Sequence, residues 1–321
     1  MKTIAEILTK KNERIVIAGH VNPDGDCVGS CMALYLYLRK ISPESEITVF
    51  LEKPAEDLMF LSGTDKIKTE VPSGYGKPDL MILLDASAYD RIGLVREMYE
   101  ASDHTVCIDH HISNTGIARI SHIRPEVGSC AEVLYELMDK DLIDRDIAEA
   151  IYTGMVHDTG VFQYTNTSPR TLQVASELIA YGFDFNKIIM DSFYARSFGQ
   201  TKLLGRCLDR AESFSGNKGI WSYAVREDAK ELGLVKSDFG VIVSQLKLVR
   251  GIRCAVFAYE GEKDVFKVSL RTDGSLMANE ICSLFGGGGH AAAAGCTIKG
   301  RIGEVKERIL EAVQKELDRT L

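Results

Sequence analysis

Three short apolar runs in the first half of the chain each end on a side chain able to bind metal, and this restricts the fold more than any other feature. Residues 14–19 (RIVIAG) lead into His20, residues 79–84 (DLMILL) into Asp85, and residues 105–108 (TVCI) into Asp109, His110 and His111. A strand apolar at consecutive positions is covered on both faces. A fourth such run occupies residues 46–51. Between the runs lie helical patterns: residues 26–40, with Cys31, Leu34, Tyr35 and Leu38 on one face, then 129–139, 147–156 and a stretch after Pro169. Strand–helix alternation of this kind predicts an α/β domain, a parallel sheet with helices on both faces.

The pattern changes after residue 190. One or two helices occupy 191–216, and a polar, Gly-containing stretch (SFSGNKG, 213–219) follows. Strands are expected at 220–225, 253–259 and 265–271, and helices at 238–249 and 277–285. The block GGGGHAAAAG (286–295) comes next, then an amphipathic helix at 302–317 that should pack on its own domain. We therefore expect a first domain at 1–190, a helical linker at 191–216 and a smaller α/β domain at 217–321. A chain of 321 residues is long enough for two cores.

Charge narrows the partners. The 38 Lys and Arg against 46 Asp and Glu give −8, which argues against wrapping long duplex nucleic acid but leaves room for a small anion at one local site. The eight cysteines form no CxxC pair and sit mostly in apolar runs, as reduced, buried thiols of a cytoplasmic protein do. The N-terminal residues carry no apolar stretch of signal-peptide length, and no run is long enough to span a membrane. A homodimer is left open.

The densest chemistry lies in His20, Asp24 and Asp26, at i, i+4 and i+6 across a turn made by Pro23 and Gly25. Oxygen and imidazole donors without thiolate favour Mn²⁺ or Mg²⁺ over structural zinc. Asp24 or Asp26 could instead simply cap the following helix. Asp158, in GMVHDTG (154–160), joins Asp85 and the Asp109-His110-His111 triplet as a polar group expected near the carboxyl ends of strands, where open parallel sheets bind ligands. In the second domain, Gly286, Gly287, Gly288 and Gly289 would let backbone amides approach an anion. No Gly-Lys-Ser/Thr follows, and the block succeeds a helix, so neither a Walker loop nor a Rossmann fingerprint is present. A tight turn packed by the small residues 291–294 is the alternative.

Taken together, GHVNPDGDCVGS (19–30), DASAYDRIG (85–93), DHHISN (109–114) and GMVHDTG (154–160) resemble the four signature motifs of the DHH phosphoesterase superfamily. GGGGHAAAAG resembles the glycine-rich signature of its associated C-terminal domain, and the two-domain length resembles the nano-RNase/pAp phosphatase (NrnA-like) group. The resemblance implies an active site in the cleft between the domains, holding two divalent ions, Mn²⁺ first, with Mg²⁺ or Co²⁺ as alternatives. It implies that His20 and Asp24 hold one ion, that Asp26, His110 and Asp158 hold the other, and that Asp85 bridges them. His111 would face the substrate phosphate and Asp109 would orient a histidine, so that His111, Asp109 and Asp85 form the catalytic set. Arg271, Asn279, Gly288, Gly289 and His290 would bind substrate. His157, beside Asp158, is expected to turn away.

The implied activity is hydrolysis of short oligoribonucleotides, dinucleotides or 3′-phosphoadenosine 5′-phosphate (pAp) by a metal-bridged hydroxide. A cyclic di-AMP or pGpG phosphodiesterase is the alternative within the class. An inorganic pyrophosphatase would carry a Lys- and Arg-rich C-terminal signature in place of GGGGH, and a RecJ-like exonuclease would carry further modules. A non-catalytic nucleotide sensor would have lost metal ligands that this chain keeps.

Overall fold

The computed structural model describes residues 4–8, 13–234, 239–289 and 291–319. The chain divides into two compact units, Met1–Ala195 and Arg196–Leu321.

In the first unit the described strands are β1 (Arg14–Ala18), β2 (Glu46–Phe50), β3 (Ile67–Lys68), β4 (Leu80–Leu84), β5 (Thr105–Asp109) and β6 (Ile120–Ile123). They form one parallel sheet in the order β3-β2-β1-β4-β5-β6. The helices are α1 (Ile4–Ile7), α2 (Gly25–Ile41), α3 (Arg96–Ala101), α4 (Cys130–Leu137), α5 (Arg145–Asp158), α6 (Pro169–Ile179) and α7 (Phe185–Ile188). A π-helical turn, Ile189–Tyr194, follows α7. Alternation along β1 shows why consecutive apolar residues are needed. Ile15 and Ile17 enter the core beneath α2, α4 and α5, while Val16 and Ala18 enter a second core with Ile92, Val95 and Met98. The sheet is thus covered on both faces, as the sequence pattern requires. The edge strands β3 and β6 escaped that pattern because they are short and only partly buried.

This strand order reverses its direction of winding between β1 and β4. Ligands of open parallel sheets collect at the carboxyl ends of strands flanking such a point. His20 follows β1 there, and Asp85 follows β4.

The second unit holds α8 (Phe198–Asp209), β7 (Glu212–Phe214), β8 (Gly219–Ala224), α9 (Arg226–Leu232), α10 (Gly240–Lys247), β9 (Cys254–Glu262), β10 (Val265–Thr272), α11 (Ala278–Ser283), β11 (Gly288–Gly289), β12 (Ala293–Lys299) and α12 (Ile302–Arg319). Its sheet runs β11-β12-β10-β9-β8-β7, with β8 and β9 parallel and the other pairs antiparallel. Along α12, Val305, Ile309, Val313 and Leu317 recur every four residues and pack into the core containing Trp221 and Val268. Of the helix expected at 238–249, residue 238 lies outside the described residues and α10 covers 240–247. The glycine-rich block differs from the expected turn. Gly288 and Gly289 pair antiparallel with Gly295 and Ala294, so the block's glycines form one arm of a hairpin and Ala293 and Ala294 open the other, β12. His290 lies outside the described residues.

Candidate metal centre

The turn after β1 caps a helix and leaves a carboxylate oxygen facing His20. Asp24 caps α2: its Oδ1 accepts from the backbone N–H groups of Asp26 and Cys27, both at 3.1 Å. Its Oδ2 remains available and lies 3.5 Å from His20 Nε2. Capping by Oδ1 therefore leaves Oδ2 able to serve as a ligand atom. Asp26, the second residue of α2, is 1% exposed. Its carboxylate meets the N-terminus of α4, accepting from Cys130 N at 2.6 Å and Ala131 N at 3.0 Å, and from Ser30 Oγ at 3.2 Å.

Asp85 connects the two sides of the centre. Its Oδ2 lies 3.3 Å from His20 Nε2, and its Oδ1 lies 3.7 Å from His110 Nε2. The residue sits just past β4 with φ of +55°, an uncommon conformation for an aspartate that aims the carboxylate between the histidines. His110 Nε2 also approaches Asp158 Oδ2 at 3.2 Å and Asp26 Oδ2 at 4.0 Å. Asp158 is the last residue of α5, so it arrives from a helix end and not from a strand end.

Both histidines are held in the tautomer that a metal requires. A carbonyl oxygen can only accept, so His20 Nδ1–H donates to Val21 O at 2.8 Å and His110 Nδ1–H donates to Val127 O at 3.3 Å. That leaves each Nε2, facing carboxylates, as the ring atom that could offer its lone pair to a cation. Donor atoms gather within 4.8 Å in three overlapping groups: His20, Asp24 and Asp85; Asp26, His110 and Asp158; and Asp85, Asp109, His110 and His111. Asp85 Oδ1 and His110 Nε2 are buried without a hydrogen-bond partner. Such atoms carry a desolvation cost that a cation relieves. Oxygen and imidazole donors, no thiolate, and two orphaned atoms facing each other fit divalent cations.

Without a cation, the same groups hold protons tightly. Burial alone would pull the His20 pKa down, but Asp24 and Asp85 overcome it and push it up to about 11. Burial acts against ionised Asp24, and the His20 contact outweighs it, bringing Asp24 down to about 2. Burial and the neighbouring carboxylates hold Asp26 well above the ordinary range, and burial, partly offset by His20, raises Asp85. Asp158 is pushed up to about 6, by burial first and then, against His110, by Asp85 and Asp24.

Asp109 is fully buried and organises its neighbours. Its Oδ1 accepts from His110 N at 2.8 Å, His111 N at 3.3 Å and His111 Nδ1 at 2.7 Å, and its Oδ2 accepts from Asn114 Nδ2 at 2.7 Å. The histidine it orients is His111. Burial lowers the His111 pKa, but Asp109 and Asp85 more than restore it, and the net direction is upward.

Sequence reasoning missed several supporting residues. Asn114 stood unassigned inside DHHISN. Asn166 Nδ2 donates to Gly128 O at 2.9 Å and Asp158 O at 3.2 Å, and the buried Glu132 accepts from Gly128 N at 3.2 Å. Nothing in the sequence pairs those positions, because each contact joins separate elements. In the second unit, Arg271 near the end of β10 pairs with Ala293 of β12, and Ala294 of β12 pairs with Gly289. Arg271 and the exposed Gly288 and Gly289 thus share one end of the sheet. Asn279, on α11, buries an Oδ1 that has no hydrogen-bond partner. Among the described residues, no helix is long and apolar enough to cross a membrane.

Known proteins share this organisation. Residues 14–155 match the family model described as "DHH family, N-terminal domain", and residues 217–319 match the DHHA1 domain. A bifunctional oligoribonuclease and PAP phosphatase, NrnA of Thermus thermophilus, is 31% identical, with 99% of this chain and 95% of that protein covered. NrnA of Bacillus subtilis is 30% identical over 89% of this chain and 90% of that protein. The crystal structure of an exopolyphosphatase-related protein from Bacteroides fragilis superposes with a TM-score of 0.88 at 26% identity, covering 96% of this chain and 94% of its own.

Proposed function

The chain belongs to the DHH family, and on that footing we propose that it is a divalent-metal-dependent phosphoesterase hydrolysing short oligoribonucleotides and pAp. The relatives named as oligoribonuclease and PAP phosphatase support the substrate class. One observation carries the chemistry: Asp85 divides its two carboxylate oxygens between His20 and His110.

His20, Asp24 and Asp85 would hold one cation, and Asp26, His110, Asp158 and Asp85 the other, with Mn²⁺ as the metal. When bound, such cations supply Lewis acidity, polarising phosphoryl oxygens and making water acidic enough to attack phosphorus near neutral pH. The protein's own groups do the rest. Asp109 accepts the His111 Nδ1 proton and fixes the ring, leaving Nε2 as the atom that meets a phosphoryl oxygen. The upward shift of His111 favours the protonated ring, the form in which Nε2 donates a charge-assisted hydrogen bond as negative charge grows on the phosphate. Arg271, Asn279, Gly288, Gly289 and His290 are assigned to substrate. Eight cysteines without a disulfide suit the reducing cytoplasm, where we place the activity.

The test compares kcat/KM for pAp, 5′-phosphorylated RNA pentamers, pGpG, cyclic di-AMP and pyrophosphate in Mn²⁺, with and without chelator, for wild type and Asp85→Ala. Turnover of pAp and short RNA should vanish with chelator and fall at least ~10³-fold in Asp85→Ala, since one side chain serves both sites. Normal turnover by that variant would sink the shared-carboxylate assignment, and preference for pyrophosphate would overturn the substrate class.

A further inference from the structure

His157 precedes the ligand candidate Asp158 yet belongs to none of the described clusters of donor atoms. Its ring points elsewhere, over the backbone of Gly25. A Cβ on Gly25 would lie 2.1 Å from His157 Cγ and 2.4 Å from Nδ1, closer than any real contact. Gly25 is not in the left-handed region, so its missing side chain is explained by the imidazole and not by backbone conformation. Gly25 also stands between Asp24 and Asp26, which belong to different donor groups of the centre.

The ring is secured from its far side. His157 Nε2 lies 3.0 Å from Ser192 Oγ, and Ser192 Oγ donates its single proton to Ile188 O at 2.7 Å. The imidazole must therefore be the donor to Ser192. Phe193 packs edge-on against the same ring at 5.7 Å. Ser192 and Phe193 lie in the π-helical turn Ile189–Tyr194, and π-turns are uncommon and concentrate at functional places.

We propose that His157 is a positioning residue for the metal centre: braced by Ser192, its ring seats against Gly25 and fixes the turn that sets Asp24 and Asp26 apart. The proposal rests on the metal-binding reading above. It predicts a reciprocal steric relation between two positions 132 residues apart in sequence, since 157 − 25 = 132.

Mn²⁺ affinity, read from the electron paramagnetic resonance signal of free Mn²⁺, tests it without reference to turnover. Gly25→Ala in the native background should weaken binding about 10- to 100-fold, the range for outer-shell partners of metal ligands. In a His157→Ala background the same methyl should cost nothing, or restore part of the loss, because it enters space the ring has left. His157→Gln, which can still reach Ser192 with an amide, should bind within about threefold of wild type, while Ser192→Ala should weaken binding by about tenfold. An equal cost of Gly25→Ala in both backgrounds would overturn the proposal, as would His157→Gln binding no better than His157→Ala. If His157→Ala does not fold, the His157→Gln and Ser192→Ala comparison decides. Failure of wild type to take up Mn²⁺ would overturn the metal reading itself, a distinct result.

Discussion

Without a cation, the carboxylates of Asp26, Asp85 and Asp158 share a buried site and resist ionising together. A carboxyl whose folded pKa is raised binds its proton more tightly than in the unfolded chain, so its contribution falls as pH rises from 3.8 to the folded value. For Asp158 that window runs from 3.8 to about 6, and for Asp26 it extends well above 3.8. His20, raised from 6.5 to about 11, contributes stability below 6.5 and loses it as pH climbs toward 11. His157, lowered by burial, works the other way, penalising the folded state only on the acid side of 6.5. The balance favours the first set. Metal-free protein should therefore lose ~5 °C or more in Tm between pH 5 and pH 8. Mn²⁺ should reverse the trend, because ionised carboxylates and neutral imidazoles are what it binds. Differential scanning calorimetry at both pH values, with chelator and with Mn²⁺, checks this. A metal-free Tm that rises toward pH 8 would contradict it.

Helices α2, α4 and α5 turn separate residues into one centre, and their contact depends on a close approach. A Cβ on Gly154 would lie 2.6 Å from Ala131 Cβ and 2.7 Å from Asp26 Oδ1. Gly154→Ala should thus push α5 off the carboxylate and cost about 1–3 kcal/mol by overpacking. It should also weaken Mn²⁺ binding about tenfold, because Asp26 loses its outer support. Chemical denaturation and Mn²⁺ titration measure the two effects, and a variant that loses stability without losing affinity would show that Asp26 is held by α4 alone. The sequence made the candidate ligands legible because metal binding calls for particular residue types, and residue types can be read directly. It hid the supports. Asn166, Glu132 and Ser192 act across elements, through contacts that no local spacing records. It also hid β12, since AAGCTIK begins with small residues that carry little strand preference. Asp158 was legible as a ligand candidate, and it closes α5 two residues beyond the helix expected at 147–156.

At the scale of the molecule, metal candidates and substrate candidates fall in different units. His20, Asp24, Asp26, Asp85, His110 and Asp158 all lie in Met1–Ala195, whereas Arg271, Asn279, Gly288 and Gly289 lie in Arg196–Leu321. Each unit buries its own apolar cores, and the first surrounds its sheet with helices on both faces. A fragment of residues 1–195 should therefore fold and retain Mn²⁺ binding, because every donor atom and its outer supports, including Ser192, are contained in it. Its pAp hydrolysis should nonetheless collapse, since the groups assigned to the substrate are missing. The acidic chain makes the requirement sharper. At −8 overall, it offers a phosphate no general attraction, so binding depends on a few local donors. In the full chain, Arg271→Ala should then raise KM for pAp about 10- to 100-fold, the loss expected for one charge-assisted hydrogen bond, with Mn²⁺ affinity unchanged. Steady-state kinetics beside Mn²⁺ titration separate the effects. If Arg271→Ala weakened Mn²⁺ binding and left KM alone, the division of labour between the units would be wrong.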